Sequence, residues 1–293
     1  MSFEVDKMRK YLTRTIILLT AVCLLPFESD SNEASWSLVW SDEFDGESLN
    51  LDKWEALFDV SGGGNNELQF YTRREKNVRI EDGVLFIEAH HQQFTGVDTR
   101  SGKEKTRDYT SARIRTKGKG DWLYGKIEAR AKMPKGQGYW PAIWMMPTDS
   151  AYGGWASSGE IDIMEYLGHE PNKVHGTLHY GASWPDNVHS GKPFAIDEGS
   201  FADEFHVFAL EWEEGVMRWY VDGELYQTQT KWSTNKALFP APFDKRFHLI
   251  MNLAVGGNWP GAPDDETVFP QSLQVDYIRV YQKNAEVEKS KTH

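Results

Sequence analysis

The chain has one cysteine, Cys23, in 293 residues, which excludes a disulfide framework and any multi-cysteine metal site. It also lacks an apolar run that could cross a bilayer. Ile16 to Phe27 is about twelve residues long, where a spanning helix needs roughly 20. Basic charge is in deficit, with 32 Lys plus Arg against 44 Asp plus Glu and a net charge of −12. That balance removes the broad attraction to phosphate backbones and to anionic lipid, so no nucleic-acid or membrane-spanning role is expected. From Trp36 onward no stretch carries apolar residues at helical spacing, which argues against helical layers.

What is present is enough to fold. Hydrophobic residues make up 40% and charged residues 26% of the chain, and there are 12 Trp, so a sizeable core can form. Lys7, Arg9, Lys10 and Arg14 precede the apolar run and the polar stretch Glu28 to Ser35 follows it. This order predicts a secretory signal over residues 1–30 and a secreted or periplasmic product without a thiol. A buried N-terminal helix is the alternative. A lipid anchor at Cys23, giving cell-surface attachment, is another, although Thr20 and Val22 fit such a cleavage box poorly.

The remainder reads as an all-β sandwich or barrel in one domain, residues 31–283, with a charged, frayed tail over 284–293. Asp82-Gly83 and Asp222-Gly223 sit between strand-forming runs and predict tight hairpins, because both residue types tolerate positive φ. Further strands are expected over 111–117, 124–133, 139–146, 160–166, 173–180, 206–212, 247–255 and 274–282. The polar stretches Gln92 to Thr110 and Ser183 to Phe205 read as loops.

One segment concentrates chemistry. Gly159-Glu160-Ile161-Asp162-Ile163-Met164-Glu165 places three acids in six residues of strand. In regular pleating Glu160 and Asp162 share a face and Glu165 points to the other. One extra residue at Ile163-Met164 would return Glu165 to that face, so a bulge is predicted there. Clustered carboxylates raise one another's pKa and can supply an ionised and a protonated acid side by side. That pair serves glycoside hydrolysis, where a separation of about 5–5.5 Å gives a nucleophile, an acid/base and retained configuration. Strand rise alone would leave the Glu160 and Glu165 Cα atoms roughly 13 Å apart, so sheet curvature and side-chain lean must close the gap. Aromatics surround the acids: Trp140, Trp144, Trp155, Trp184 and Trp259. Flat indoles suit the C–H faces of sugar rings. Trp140 and Trp144 are four apart and should share the cleft face, while Trp212 and Trp219 are assigned to the core.

These residues resemble glycoside hydrolase family 16 in its laminarinase (endo-1,3-β-glucanase) branch. Glu160-Ile-Asp-Ile-Met-Glu165 is similar to the family's E-x-D-x-x-E motif. The likeness extends through Asn65-Asn-Glu-Leu-Gln, Ser111-Ala-Arg-Ile-Arg-Thr, Gly138-Tyr-Trp-Pro-Ala-Ile-Trp-Met, Trp219-Tyr-Val-Asp-Gly, Asn252-Leu-Ala-Val-Gly-Gly-Asn-Trp-Pro-Gly and Val275-Asp-Tyr-Ile-Arg-Val-Tyr. The resemblance implies a β-jelly roll of two curved antiparallel sheets with a concave substrate cleft. It implies Glu160 as nucleophile, Glu165 as acid/base and Asp162 as the group tuning the nucleophile. Trp140 and Trp144 match sugar platforms, Asn65 and Arg113 match polar glucan contacts with Arg115 as a further candidate, and His179 matches a position near the acid/base. The implied substrate is laminarin-type β-1,3-glucan, with mixed-linkage glucan or another polymer as alternatives and a non-catalytic glucan-binding module as a third reading. No cofactor is required for that chemistry. A structural calcium, common among relatives, would be held by Glu43, Gly83 and Asp276. His175 and His179 lack the helical H-E-x-x-H zinc arrangement, and Gly62-Gly63-Gly64 lacks the Gly-Lys-Ser/Thr of a phosphate cradle and reads as a mobile cleft-edge loop. Nothing in the sequence calls for more than a monomer.

Overall fold

Both Asp-Gly pairs turn as their residue types allow. Asp82 and Gly83 have φ of 51° and 76°, Asp222 and Gly223 of 49° and 83°, and each closes an antiparallel hairpin. The computed structural model describes residues 35–99 and 101–284. The segment read as a secretory signal, Cys23, and all of the tail after Asn284 lie outside the described residues.

In chain order the strands are β1 (Trp36–Asp42), β2 (Glu55–Ala56), β3 (Gln69–Tyr71), β4 (Val78–Glu81), β5 (Val84–Val97), β6 (Glu104–Ser111), β7 (Arg113–Arg115), β8 (Gly125–Lys132) and β9 (Tyr139–Pro147). They continue as β10 (Glu160–Tyr166), β11 (Lys173–Gly181), β12 (Asn187–Ala195), β13 (His206–Glu213), β14 (Val216–Val221), β15 (Glu224–Gln229), β16 (Phe247–Val255) and β17 (Gln271–Lys283). One sheet has ten strands in the order β15-β14-β13-β8-β17-β5-β6-β3, with β1 added on β17 and β4 on β5. The other has seven, β12-β11-β10-β9-β16-β7-β2. The two sheets form the sandwich of an all-β jelly roll. The pairing is antiparallel except between β3 and β6, which run parallel, a departure from the purely antiparallel expectation.

Alternation sets which face is core. In β8, Ile127, Ala129 and Ala131 are buried while Lys126, Glu128, Arg130 and Lys132 face outward. The central strand β16 is buried at every position. Phe247, Leu249, Met251, Leu253 and Val255 join the core between the sheets, and His248, Ile250, Asn252 and Ala254 form the floor of the cleft on the other face. Trp212 and Trp219 are fully buried as assigned.

Two expected loops are strands. Residues 92–97 and 104–110 form the outer parts of β5 and β6, with Phe94 opposite Arg107 and Thr95 opposite Thr106. Residues 183–205 contain β12, an edge strand paired with β11 along its whole length. Much of both segments is solvent-exposed, so neither carries the apolar alternation from which strands are read. The single run expected over 111–117 divides instead: β6 ends at Ser111 in one sheet and β7 begins at Arg113 in the other.

Candidate active site

The predicted bulge is present and sets the geometry of the cleft. Against β11, Asp162 pairs with Thr177 and Glu165 with His175, so three steps along β10 oppose two on its neighbour. Against β9, Asp162 to Met164 opposes Trp144 to Ile143. Ile161, Ile163, Met164 and Tyr166 all enter the core. Two consecutive side chains pointing inward absorb the extra residue, which leaves Glu160, Asp162 and Glu165 on the cleft face.

Each glutamate has an indole donor. Trp155 Nε1 donates to Glu160 Oε2 at 2.6 Å, and Trp140 Nε1 donates to Glu165 Oε1 at 3.2 Å. Asp162, between them, is 2% exposed. Its backbone carbonyl accepts from Trp219 Nε1 at 2.9 Å, which ties the bulged strand to the opposite sheet. Burial pushes the Glu160 carboxyl up to about 8, reinforced by the Asp162 charge and opposed by His179 and the Trp155 N–H. Burial likewise pushes Asp162 up to about 8. Glu165 is raised well above the ordinary carboxyl value by burial, with Asp162 and Glu160 adding to the shift. Three acids this close cannot all ionise near neutrality, so the trio holds protons where isolated carboxyls would have lost them.

A second buried cluster lies farther along the same face. Glu67 Oε2 accepts from Gln69 Nε2 at 2.7 Å and Tyr71 Oη at 3.2 Å, and Arg113 Nη2 lies 3.6 Å away. The Arg113 guanidinium sits 4.6 Å over Tyr71 and 5.5 Å from Trp144. Trp144 Nε1 in turn donates to Asn252 Oδ1 at 2.8 Å. Glu67 also explains Gly63, which has φ of 60° and where a Cβ would meet Glu67 Oε1 at 2.0 Å. The Gly62–Gly64 segment forms a short 3-10 turn at the cleft rim.

Three cavities run across the strands. One of about 810 Å³ contains the acids together with Asn65, Arg113, Trp140, Trp144 and Trp184. It shares Trp140, Trp155, Glu160 and Glu165 with a cavity of about 470 Å³ toward β12, and Arg113, Trp144 and Trp155 with one of about 560 Å³ toward β2. The line they trace is an open trough suited to an extended chain rather than a single small molecule.

The structure therefore brings Asn65, Arg113, Trp140, Trp144, Glu160, Asp162, Glu165 and His179 into one trough. His179 faces Glu160 and Asp162, with Nε2 at 3.9 and 3.3 Å from their carboxylates, and its imidazole also acts on the Glu165 carboxyl, while His175 is the residue paired opposite Glu165. Arg115 lies in the β2-side cavity, held by Glu55 at 2.7 Å. The two acidic side chains named for calcium are held by arginines. Arg279 occupies both oxygens of Glu43, at 3.0 and 2.7 Å, and Arg130 holds Asp276 at 2.7 Å. Gly83 supplies a turn carbonyl only. Sequence reasoning missed Trp155 as the donor to Glu160 and missed Glu67, Tyr71 and Asn252 as the supports of Arg113 and Trp144. Glu67 and Asn252 lie within quoted motifs, which was the available signal.

Carboxylates gathered on a bulged strand, flanked by indoles and opening into a trough across a jelly roll, define a glycosidase that works on polysaccharide. The chain belongs to glycoside hydrolase family 16: the profile described as "Glycosyl hydrolases family 16" matches residues 40–279. It is 43% identical to the "Beta-glucanase" of Rhodothermus marinus, over 94% of this chain and 96% of that protein. It is 41% identical to the "Glucan endo-1,3-beta-glucosidase" of Cryptopygus antarcticus, over 92% of this chain and 98% of that one. Among solved structures, the catalytic domain of an endo-1,3-beta-glucanase (laminarinase) from Thermotoga petrophila superimposes with a TM-score of 0.75 at 42% identity, covering 86% of this chain and 99% of that one.

Proposed function

We propose that this protein is a retaining endo-glycosidase that hydrolyses β-1,3-glucosidic bonds of laminarin-type glucan. The observation that carries the reading is the register break between Asp162 and Glu165, which turns three acids of one strand into one trough. Ionised Glu160, steadied by the Trp155 N–H, attacks the anomeric carbon while protonated Glu165 gives its proton to the departing oxygen. The glycosyl–Glu160 ester forms as the glycosidic bond breaks. Glu165, now ionised, takes a proton from water, whose oxygen attacks the same carbon and releases Glu160. Asp162 shares the protons of the cluster and so controls when Glu160 carries charge. Trp140 and Trp144 stack sugar rings beside the cleavage point, and Asn65 and Arg113 hold hydroxyl groups.

The protein acts as a secreted or periplasmic monomer after removal of residues 1–30, and the N-terminal mass of the exported product tests that assignment. Product analysis by mass spectrometry and NMR on laminarin, mixed-linkage β-glucan and agarose in parallel tests the reaction. Short oligosaccharides from laminarin, β-configured when first released, are expected. Initial α products or exclusive cleavage of another polymer would overturn the reading, and binding without cleavage would favour a binding module.

A further inference from the structure

Three donor atoms in the acid cluster converge on one another. Glu160 uses Oε2 for the Trp155 N–H and turns Oε1 toward His179 Nε2 at 3.9 Å. Asp162 Oδ2 lies 3.3 Å from the same nitrogen. Asp162 is 2% exposed, yet its Oδ2 accepts no hydrogen bond within the structure. Ligand atoms of Glu160, Asp162 and His179 fall within 4.8 Å of one another, and no other group of three or more His, Cys, Asp or Glu does so among the described residues. The backbone fixes this spacing, since Glu160 pairs directly with His179 across the β10–β11 ladder and Asp162 with Thr177 two residues away.

Two carboxylates and an imidazole are a donor set for zinc-class ions. Zn–N and Zn–O bonds of about 2.0–2.2 Å place tetrahedral donors roughly 3.3–3.6 Å apart. Modest side-chain rotation on a fixed ladder closes the present spacing to that value. The fourth position opens into the trough, where water would fill it. Calcium and magnesium prefer six or more oxygen donors, and an imidazole among three protein ligands favours zinc or copper instead. We infer that Glu160, Asp162 and His179 bind a transition-metal dication of the zinc or copper class, and that the bound ion shuts off glycosidase activity by occupying the nucleophile. The ion enters and leaves through the trough, so substrate and metal exclude each other.

Titration calorimetry of zinc chloride into the full chain tests the site, using wild type, His179→Ala and Asp162→Asn, with circular dichroism to establish that each variant is folded. One ion per chain is expected, with affinity at least tenfold weaker in each folded variant. Initial rates on laminarin should show inhibition that rising substrate relieves and EDTA reverses, with no inhibition by magnesium at the same concentration. The inference fails if wild type does not take up zinc, if both variants bind it with wild-type affinity, or if inhibition is indifferent to substrate. His189→Ala, adjacent to His179 across the next strand pair, should retain wild-type zinc affinity; loss there instead of at His179 would move the ion away from the acids and overturn the assignment. The inhibition arm rests on the proposed hydrolysis, whereas the binding arm does not. Zinc uptake that His179→Ala and Asp162→Asn both weaken supports the site even on a chain that cleaves no glucan.

Discussion

Two buried polar clusters share one cleft and solve the problem of burying charge in opposite ways. At Glu67, a carboxylate 4% exposed meets Gln69, Tyr71 and the guanidinium of Arg113, so the anion faces a cation and hydrogen-bond donors. At Glu160, Asp162 and Glu165, three acids face one another, opposed by His179, two indole N–H groups and the charge of Arg113. The first cluster is built to hold shape: it props Arg113 against Trp144 and supports the glycine turn at the rim. The second buries acids without a paired cation, and that burial, with repulsion adding to it at Glu160 and Glu165, produces the raised carboxyls the chemistry uses.

The comparison is sharpest where one residue is neutralised at each site. Replacing Glu160 or Glu165 with Gln should lower kcat on laminarin by about 10³-fold or more while leaving the melting temperature unchanged or higher. A variant with near-native turnover would sink the role assigned to that residue. Glu67→Ala should act in the opposite sense, costing about 3–5 kcal/mol in denaturant unfolding because it strands Arg113 without its anion. Asp162→Asn should instead stabilise the fold by about 1–3 kcal/mol above pH 8. The folded protein holds the Asp162 proton up to about 8, whereas an unfolded chain releases it near about pH 4. Stability therefore declines as pH rises between those values, and the gain from Asp162→Asn should shrink toward pH 4; a gain independent of pH would refute the account.

A smaller effect is expected at Trp155. Its N–H favours ionised Glu160, so Trp155→Phe should move the acidic limb of kcat/KM upward by about 0.5–1 pH unit. No movement of that limb would mean that the hydrogen bond does not set the nucleophile's ionisation. The smallest effect is predicted on the opposite sheet. EDTA should change the melting temperature by no more than about 1 °C, because Arg279 and Arg130 already neutralise Glu43 and Asp276. A larger drop restored by calcium would reveal a cage built from backbone carbonyls.

How much could be read beforehand followed burial. β10 and β16 occur over the residues expected for them, because apolar side chains of both enter the core. The outer halves of β5 and β6, and all of β12, escaped notice because ladder hydrogen bonds hold them without a one-sided apolar face. In the site, the three acids and the bulge were legible from Ile163 and Met164, two apolar neighbours where alternation allows one. The pairing of Trp155 with Glu160 was not, since five residues of irregular backbone decide where that indole points. That His179 stands opposite Glu160 and His175 opposite Glu165 is not legible in the sequence, because the sequence does not state the β10–β11 register.

By itself the sequence determined the all-β class, both Asp-Gly hairpins, the core tryptophans and the acids available for catalysis, since these depend on local φ preference, side-chain alternation and residue chemistry. Only the tertiary structure decided which acid faces His179, which carboxylate Arg113 neutralises, and that Arg279 and Arg130 reach Glu43 and Asp276. Those outcomes depend on register and on groups far apart in the chain, such as Arg279 and Glu43. Their free energies arise from burial and charge proximity, which exist only once the sheets have packed.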